Sequence, residues 1–455
     1  MNNNIYEVKK VNHPHDIFAK VPGSKSITNR ALLIAALAKG KSVLKGVLFS
    51  DDSRHFMQSL IDLGFEVSVD EENQIVEIVG CGGDIPCVKN FQDKDSTSSD
   101  VDATVYVGSA GTAARFLTAF LGLSKGSFRV TASEQMKKRP MKELLVALEE
   151  MGSKIIYEEE PYRFPFIIGD FHPKKNEVCI DVEKSSQFLS ALLISSVLLP
   201  DDFSIYIKGN HGMAYVNMTL NMMKQFGITI EKTVDCGYRR MSCQEVSEKP
   251  ISSDTTISSG YQALNYQIEP DVSAACYFYA LSPLLHVSVQ VQNVHLNCLQ
   301  GDIQFLEVLD RMGCSLKDEE EGVLLSPPRE VLLGGSFDLS SFSDQALTLA
   351  AIAPFASSKV CIMNVGHIRY QECDRMNAIV ENLNAMGILA AREDNNLFIL
   401  PGKVKGCEIE SFEDHRVAMA FSLPGVVTEG IKIKNPSCTR KTFENYFEVL
   451  EETVY

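Results

Sequence analysis

Pro22-Gly23-Ser24-Lys25-Ser26-Ile27-Thr28-Asn29-Arg30 places three hydroxyls, an amide, an ammonium and a guanidinium behind a Pro-Gly turn, and an apolar run over residues 31–38 follows at once. The turn and the small polar residues predict a helix start, capped by Ser24, Ser26 or Thr28. A helix N-terminus presents unpaired N–H groups at the positive end of its dipole. Lys25 and Arg30 add two cations, which suits the place to a phosphate or a carboxylate. The same residues also describe a capped helix with two solvated basic side chains, and the stretch alone does not choose.

Working outward, Val107-Gly108-Ser109-Ala110-Gly111-Thr112-Ala113-Ala114-Arg115 is a second glycine-bearing helix entry, with Thr112 the expected cap. It is not a P-loop, since no Gly-Lys-Ser/Thr ending follows. Arg139-Pro140 precedes another helix, Ser185-Ser186-Gln187 opens the apolar run from Phe188, and Asp344 follows Ser341-Phe342-Ser343 at the head of a third. Glu372 and Arg375 stand at i, i+3, one helical turn apart. Asp414-His415-Arg416 introduces residues 417–421, and Lys441 is expected to open a final helix over 441–452. Each place reads singly as a cap or a surface ion pair. Together they share one logic, polar and charged groups at helix N-termini, where anions bind.

The repeat structure supports several domains. Amphipathic helices end at Gly64, Gly152, Gly227, Gly313 and Gly387, each expected in a left-handed C-cap and each followed by a strand-like segment. With the final helix these make six α/β units, too long for a solenoid repeat and divisible into two domains of three. The 455-residue length agrees with that division. Residues 247–260 are polar and lie at the middle boundary, and 89–102 form a second polar insert.

Bulk properties narrow the class. A net charge of −16 argues against general nucleic-acid affinity and for small anions drawn to local basic clusters. Twelve cysteines occur without a C-x-x-C pair, the closest being Cys81/Cys87 and Cys236/Cys243, so they read as reduced thiols with no metal framework. The polar start Met1-Asn2-Asn3-Asn4 and the lack of a long apolar run lead to a cytoplasmic expectation.

Residues 22–30, 109–115, 136–140, 185–189, 266–277, 372–375, 414–416 and 441–443, with Asp344, resemble the enolpyruvyl transferase family, in its EPSP synthase branch, over nearly the whole chain. The resemblance implies an α/β fold of two domains, each of three βαββαβ repeats with helices buried inside and sheets outside. The domains would comprise residues 24–260 and residues 1–20 with 268–455, with crossovers near 20–23 and 260–267, and a cleft that closes on ligands. It implies transfer of the enolpyruvyl group of phosphoenolpyruvate to the 5-hydroxyl of shikimate 3-phosphate with release of phosphate, a step toward chorismate and the aromatic amino acids. No metal or organic cofactor is implied, and the partners are the two substrates and neither nucleic acid nor membrane; the family expectation is a monomer.

By matching position, phosphoenolpyruvate would meet Lys25, Gly111, Arg139, Gln187, Arg375, Arg416 and Lys441. Shikimate 3-phosphate would meet Lys25, Ser26, Arg30, Ser185, Ser186, Gln187, Tyr215, Asp344, His367 and Gln371, with Arg30 pairing the ring carboxylate. Asp344 would serve as the hydroxyl's base, with Glu372 and Lys25 handling the carbon-bound proton and the phosphate. A silent binding protein of the same fold would have no use for Lys25, Asp344 and Glu372 together. Three positions depart from the family: Gln371 stands where it has lysine, His367 where it has asparagine, and Gly212 where it has serine. Arg369 and His367 are candidates to compensate. The alternative these departures raise is a different or unphosphorylated hydroxy-acid acceptor. Phe116 stands where many members have proline, beside the position of the family inhibitor glyphosate.

Overall fold

The helix introduced by Pro22 and Gly23 runs over Lys25–Leu37, and every residue from Ile27 onward is buried. A helix covered on all sides belongs to a core, not to a surface. Gly111–Gly122, Val272–Tyr279 and Ala346–Ile352 are buried throughout. Gln187–Ser195 is buried apart from Gln187, and His415–Ser422 apart from Arg416. These six helices, one per repeat, are rich in apolar residues, and the charged side chains among them lie within the first two turns.

The structure is a computed structural model that describes residues 5–88, 101–210, 212–233, 237–240 and 260–455. The polar segments 89–100 and 247–259, and the pair Cys236/Cys243, lie outside the described residues. Two units emerge, residues 25–268 and residues 1–24 with 269–455.

Both units use one sheet plan. In residues 25–268, strand Ala103–Tyr106 pairs parallel with Ser127–Thr131, which pairs antiparallel with Phe166–Gly169, which pairs antiparallel with Lys154–Tyr157. The same parallel-antiparallel-antiparallel order recurs in the sheet of Glu177–Asp181, Ser204–Lys208, Gly237–Arg240 and Ile230–Lys232. It recurs again in the sheet of Asn265–Gln267, Lys39–Lys45, Ile75–Cys81 and Glu66–Asp70. In the other unit, Ile17–Ala19 and Gly335–Asp338 head two sheets of that order, and Glu408–Ile409 heads a three-stranded version closed by Ile5–Glu7. The repeats headed by Ala103–Tyr106, Glu177–Asp181 and Gly335–Asp338 run β-α-β-α-β-β along the chain, so the second helix precedes the hairpin where the expected βαββαβ order put it after. A parallel pair needs a helical crossover and an antiparallel pair only a tight turn, which places the buried helix between the first two strands.

The helix-ending glycines carry the expected left-handed backbone, with φ of 88°, 123°, 93°, 105° and 78° at Gly64, Gly152, Gly227, Gly313 and Gly387. Two local expectations fail. Thr112 is not a cap: Ala110 holds that position without a side-chain bond, and the Thr112 hydroxyl instead accepts from Asn29 Nδ2 at 2.5 Å. The last helix is Tyr446–Val454, and Lys441 ends a 3₁₀ turn, Pro436–Lys441, because Pro436 favours a tight turn after the left-handed Asn435. The ten described cysteines are free. Among the described residues no helix is long and apolar enough to cross a membrane.

Candidate functional site

In residues 25–268 the polar first turns of the buried helices hold three groups of side chains. Lys25 begins its helix with Nζ 2.6 Å from Asp52 Oδ2, a carboxylate on the capped helix Asp51–Asp62. One turn on, buried Arg30 donates from Nε to Thr219 Oγ1 at 2.7 Å and from Nη1 to the Ser26 carbonyl at 2.9 Å. Its Nη2 reaches the Tyr215 carbonyl at 3.2 Å and Ser190 Oγ at 3.5 Å. Burial pushes this guanidinium down to about 10. Its face covers the ring of Phe116 at 5.3 Å, a use for the aromatic side chain at that position.

The second group surrounds the first residue of helix Gly111–Gly122. Arg115 Nη1 donates to the Gly111 carbonyl at 3.0 Å and to Gln187 Oε1 at 2.9 Å, and Nη2 to the Pro140 carbonyl at 2.9 Å. Arg139 Nη1 reaches the Ser109 carbonyl at 3.4 Å. A Cβ on Gly111 would stand 2.6 Å from Arg115 Nη1 and 2.7 Å from Arg139 Nη2, so glycine lets both guanidiniums close on the helix end. Burial, and then repulsion from Arg139, hold the Arg115 guanidinium well below its ordinary value. Two crowded cations at a helix N-terminus lower their energy by taking up an anion.

The third group contains Ser185, Ser186 and Gly212. Ser185 Oγ accepts from the Gln187 amide at 3.3 Å. Gly212 has φ +64°, and a Cβ there would lie 2.5 Å from Ser186 Oγ. The departure to glycine therefore has a local cause, since a serine side chain would be both strained and in collision.

In the other unit Arg375 is the first residue of helix Arg375–Ala385, and it is buried. Its Nε donates to Asp414 Oδ2 at 2.7 Å, Nη2 to Asp414 Oδ1 at 3.2 Å and Nη1 to Asp344 Oδ1 at 2.9 Å. Asp344 Oδ2 in turn lies 2.8 Å from Arg416 Nη2. Asp414 also caps helix His415–Ser422, accepting from the Arg416 amide at 2.9 Å. Glu372 lies 3.0 Å from Lys441 Nζ through Oε1 and 3.0 Å from His415 Nδ1 through Oε2. Buried charges persist only when paired, and here cations and carboxylates alternate. Burial alone would raise the Asp414 carboxyl, but Arg375 overrides it and holds Asp414 below the usual carboxylate range. The same two carboxylates raise Arg375 against its own burial.

The bland alternative for Glu372, an i, i+3 ion pair with Arg375, does not form, because the helix begins at Arg375 and leaves Glu372 outside it. Nor is Asp344 a cap: it sits inside the 3₁₀ turn Ser343–Gln345 with its carboxylate on two arginines. His367 Nε2 lies 2.7 Å from Ser343 Oγ, Gln371 Oε1 accepts from Arg375 Nη1, and Arg369 donates to the Asp394 carbonyl. Glu372, Asp414 and His415 offer ligand atoms within 4.8 Å of one another. Lys441 and Arg375 already compensate those carboxylates, so the trio forms part of an ion-pair lattice.

Asp52, Arg115, Asp414 and His415 were not among the site residues expected from sequence. The last three stand inside the quoted motifs, so a rule that every polar residue of a helix entry faces the site would have found them. Asp52 carried no such signal.

The family model described as EPSP synthase (3-phosphoshikimate 1-carboxyvinyltransferase) matches residues 16–450. The chain is 36% identical over 442 residues to a 3-phosphoshikimate 1-carboxyvinyltransferase of Nostoc punctiforme, with 97% of each chain covered. It is 37% identical over 448 residues to the protein of the same name from Trichormus variabilis, again with 97% of each covered. A solved EPSP synthase of Acinetobacter baumannii shares the fold, with a TM-score of 0.77 at 22% identity over 99% of this chain and 98% of that one.

Proposed function

Because the chain belongs to the EPSP synthase family, and so moves the enolpyruvyl group of phosphoenolpyruvate to shikimate 3-phosphate with release of phosphate, we propose how its side chains divide that work. The observation that carries the reading is the lattice of Asp344, Arg375, Asp414, Arg416, Glu372, His415 and Lys441, a buried arrangement of acids and cations at two helix N-termini.

Phosphoenolpyruvate carries a carboxylate and a phosphate, and both need fixed donors. Arg375, Arg416 and Lys441 are its cations in this reading, with Arg139, Gln187, Lys25 and the helix end at Gly111 as further donors. The acceptor's ring and phosphate fall to Ser26, Arg30, Ser185, Ser186 and Tyr215. Arg30 gives four of its five N–H groups to the protein, which leaves one Nη1 hydrogen for the ring carboxylate.

Addition forms a bond from the acceptor hydroxyl oxygen to C2 of phosphoenolpyruvate, while C3 gains a proton and the hydroxyl loses one. Asp344 takes the hydroxyl proton, its carboxylate aimed by Arg375 and Arg416. Elimination removes a proton from C3 and breaks the C2–O bond to phosphate. Glu372 exchanges the C3 proton, with His415 at 3.0 Å as the next carrier and Lys441 fixing its other oxygen. Lys25 neutralises the leaving phosphate. Cations around the tetrahedral intermediate stabilise charge as it develops. The enzyme works as a cytoplasmic monomer in this reading.

The test is phosphate release from the two substrates by the wild type and by Asp344→Ala and Glu372→Gln. Each variant is expected to lose turnover by on the order of 10²-fold or more, the scale of a positioned acid or base. A near-normal rate in either removes that residue from the mechanism.

A further inference from the structure

The two departures at 367 and 371 lie on one short segment, the 3₁₀ turn Gly366–Tyr370 and the residue that ends it. Both side chains reach inward to protein groups. His367 Nε2 bonds Ser343 Oγ at 2.7 Å, and Ser343 is the buried first residue of the turn that carries Asp344. The last residue of that turn, Gln345, donates to buried Asp302 Oδ1 at 2.8 Å, so the turn is held from both ends. Gln371 Oε1 accepts from Arg375 Nη1, the same nitrogen that donates to Asp344 Oδ1 at 2.9 Å.

With Asp414 on Nε and Nη2, these bonds take four of the five guanidinium hydrogens and fix its plane. An ammonium in place of Gln371 could not accept that bond and would add a like charge beside a buried arginine. With a neutral residue there, Arg375, Arg416 and Lys441 face Asp344, Glu372 and Asp414 in equal number.

We propose that the segment 366–371 is a positioning element for the Asp344–Arg375 pair, His367 holding the turn of Asp344 and Gln371 holding the guanidinium, and that neither residue contacts the acceptor. The inference rests on the roles proposed above for Asp344 as base and Arg375 as a phosphoenolpyruvate ligand. One segment then sets both members of the pair, so the base and the bound three-carbon acid keep a fixed relation.

The experiment combines steady-state kinetics with equilibrium dialysis of phosphoenolpyruvate for the wild type, Gln371→Leu, Gln371→Glu, His367→Ala and His367→Gln. Gln371→Leu is expected to raise the KM and dissociation constant for phosphoenolpyruvate about tenfold, the scale of one bond to a charged group, and to leave the KM for shikimate 3-phosphate within about twofold. Gln371→Glu restores an acceptor atom and recovers most of the loss. His367→Ala is expected to lower kcat about tenfold with both KM values near wild type, and His367→Gln to recover it in part. If Gln371→Leu does not fold, Gln371→Met is read in its place.

A tenfold rise in the KM for shikimate 3-phosphate alone, in either the Gln371 or the His367 variant, overturns the proposal by placing that residue on the acceptor. Unchanged constants in all variants overturn it as well. Failure of the wild type to release phosphate from the two substrates counts against the proposed function instead, and so the two failures are distinct.

Discussion

Replacing Asp302 by asparagine removes a charge from a carboxyl that the folded protein keeps out of water. Asp302 is 2% exposed, and burial together with the nearby Asp344 carboxylate pushes it up to about 6 from an ordinary value of 3.8. Arg416 and the bond from Gln345 pull the other way without winning. The folded state therefore holds a proton on Asp302 over a range of pH in which the unfolded chain has lost it. Stability from this group is complete below the unfolded value and is lost as pH rises through about 6. A shift of about two pK units corresponds to on the order of 3 kcal/mol, and about half of that develops between pH 5 and pH 8. Asparagine keeps an oxygen for Gln345 Nε2 and does not titrate. Urea denaturation of the wild type and Asp302→Asn at both pH values is the assay. The variant is expected to gain on the order of 1–2 kcal/mol on the wild type between pH 5 and pH 8. A stability difference that stays constant across that range refutes a raised carboxyl at this position.

Gly111→Ala places a methyl 2.6–2.8 Å from Arg115 and Arg139 nitrogens, at the flexible ends of both side chains. The guanidiniums shift at little cost in stability, and the KM for phosphoenolpyruvate is expected to rise about ten- to a hundredfold, measured by initial rates beside an unchanged melting temperature. Gly212→Ser forces a side chain into a left-handed backbone and onto Ser186, so a loss of about 1–2 kcal/mol is expected by thermal melting, with a weaker KM for shikimate 3-phosphate. A serine variant as stable and as active as the wild type contradicts the stated cause of glycine at this position. Asp344→Ala and Glu372→Gln separate the two proton transfers: the first is expected to block formation of the tetrahedral intermediate in a rapid quench, and the second to slow both halves of the reaction.

The helix starts and the repeat were legible along the chain because local rules govern them. A Pro-Gly turn, a small polar residue and an apolar run announce the entry of Lys25–Leu37, and the positive φ of the five helix-ending glycines follows from the need for a left-handed cap. Lys25 and Arg416 likewise stand in the first turns of their helices, where the sequence pattern puts them. Closeness in sequence did not decide which charges pair. Glu372 and Arg375 stand three residues apart, yet their partners are His415 and Lys441 for one and Asp344 and Asp414 for the other.

Residue order thus carried the repeated helix entries and the polar, charged character of their first turns, since turns, caps and periodicity act over a few residues. Folding selected which acid meets which base: Arg375 finds Asp344 and Asp414 at separations of 31 and 39 residues, and His415 finds Glu372 at 43. No spacing rule encodes those distances. Buried charges must be compensated wherever the packed helix ends bring them together, and that requirement is met only in three dimensions.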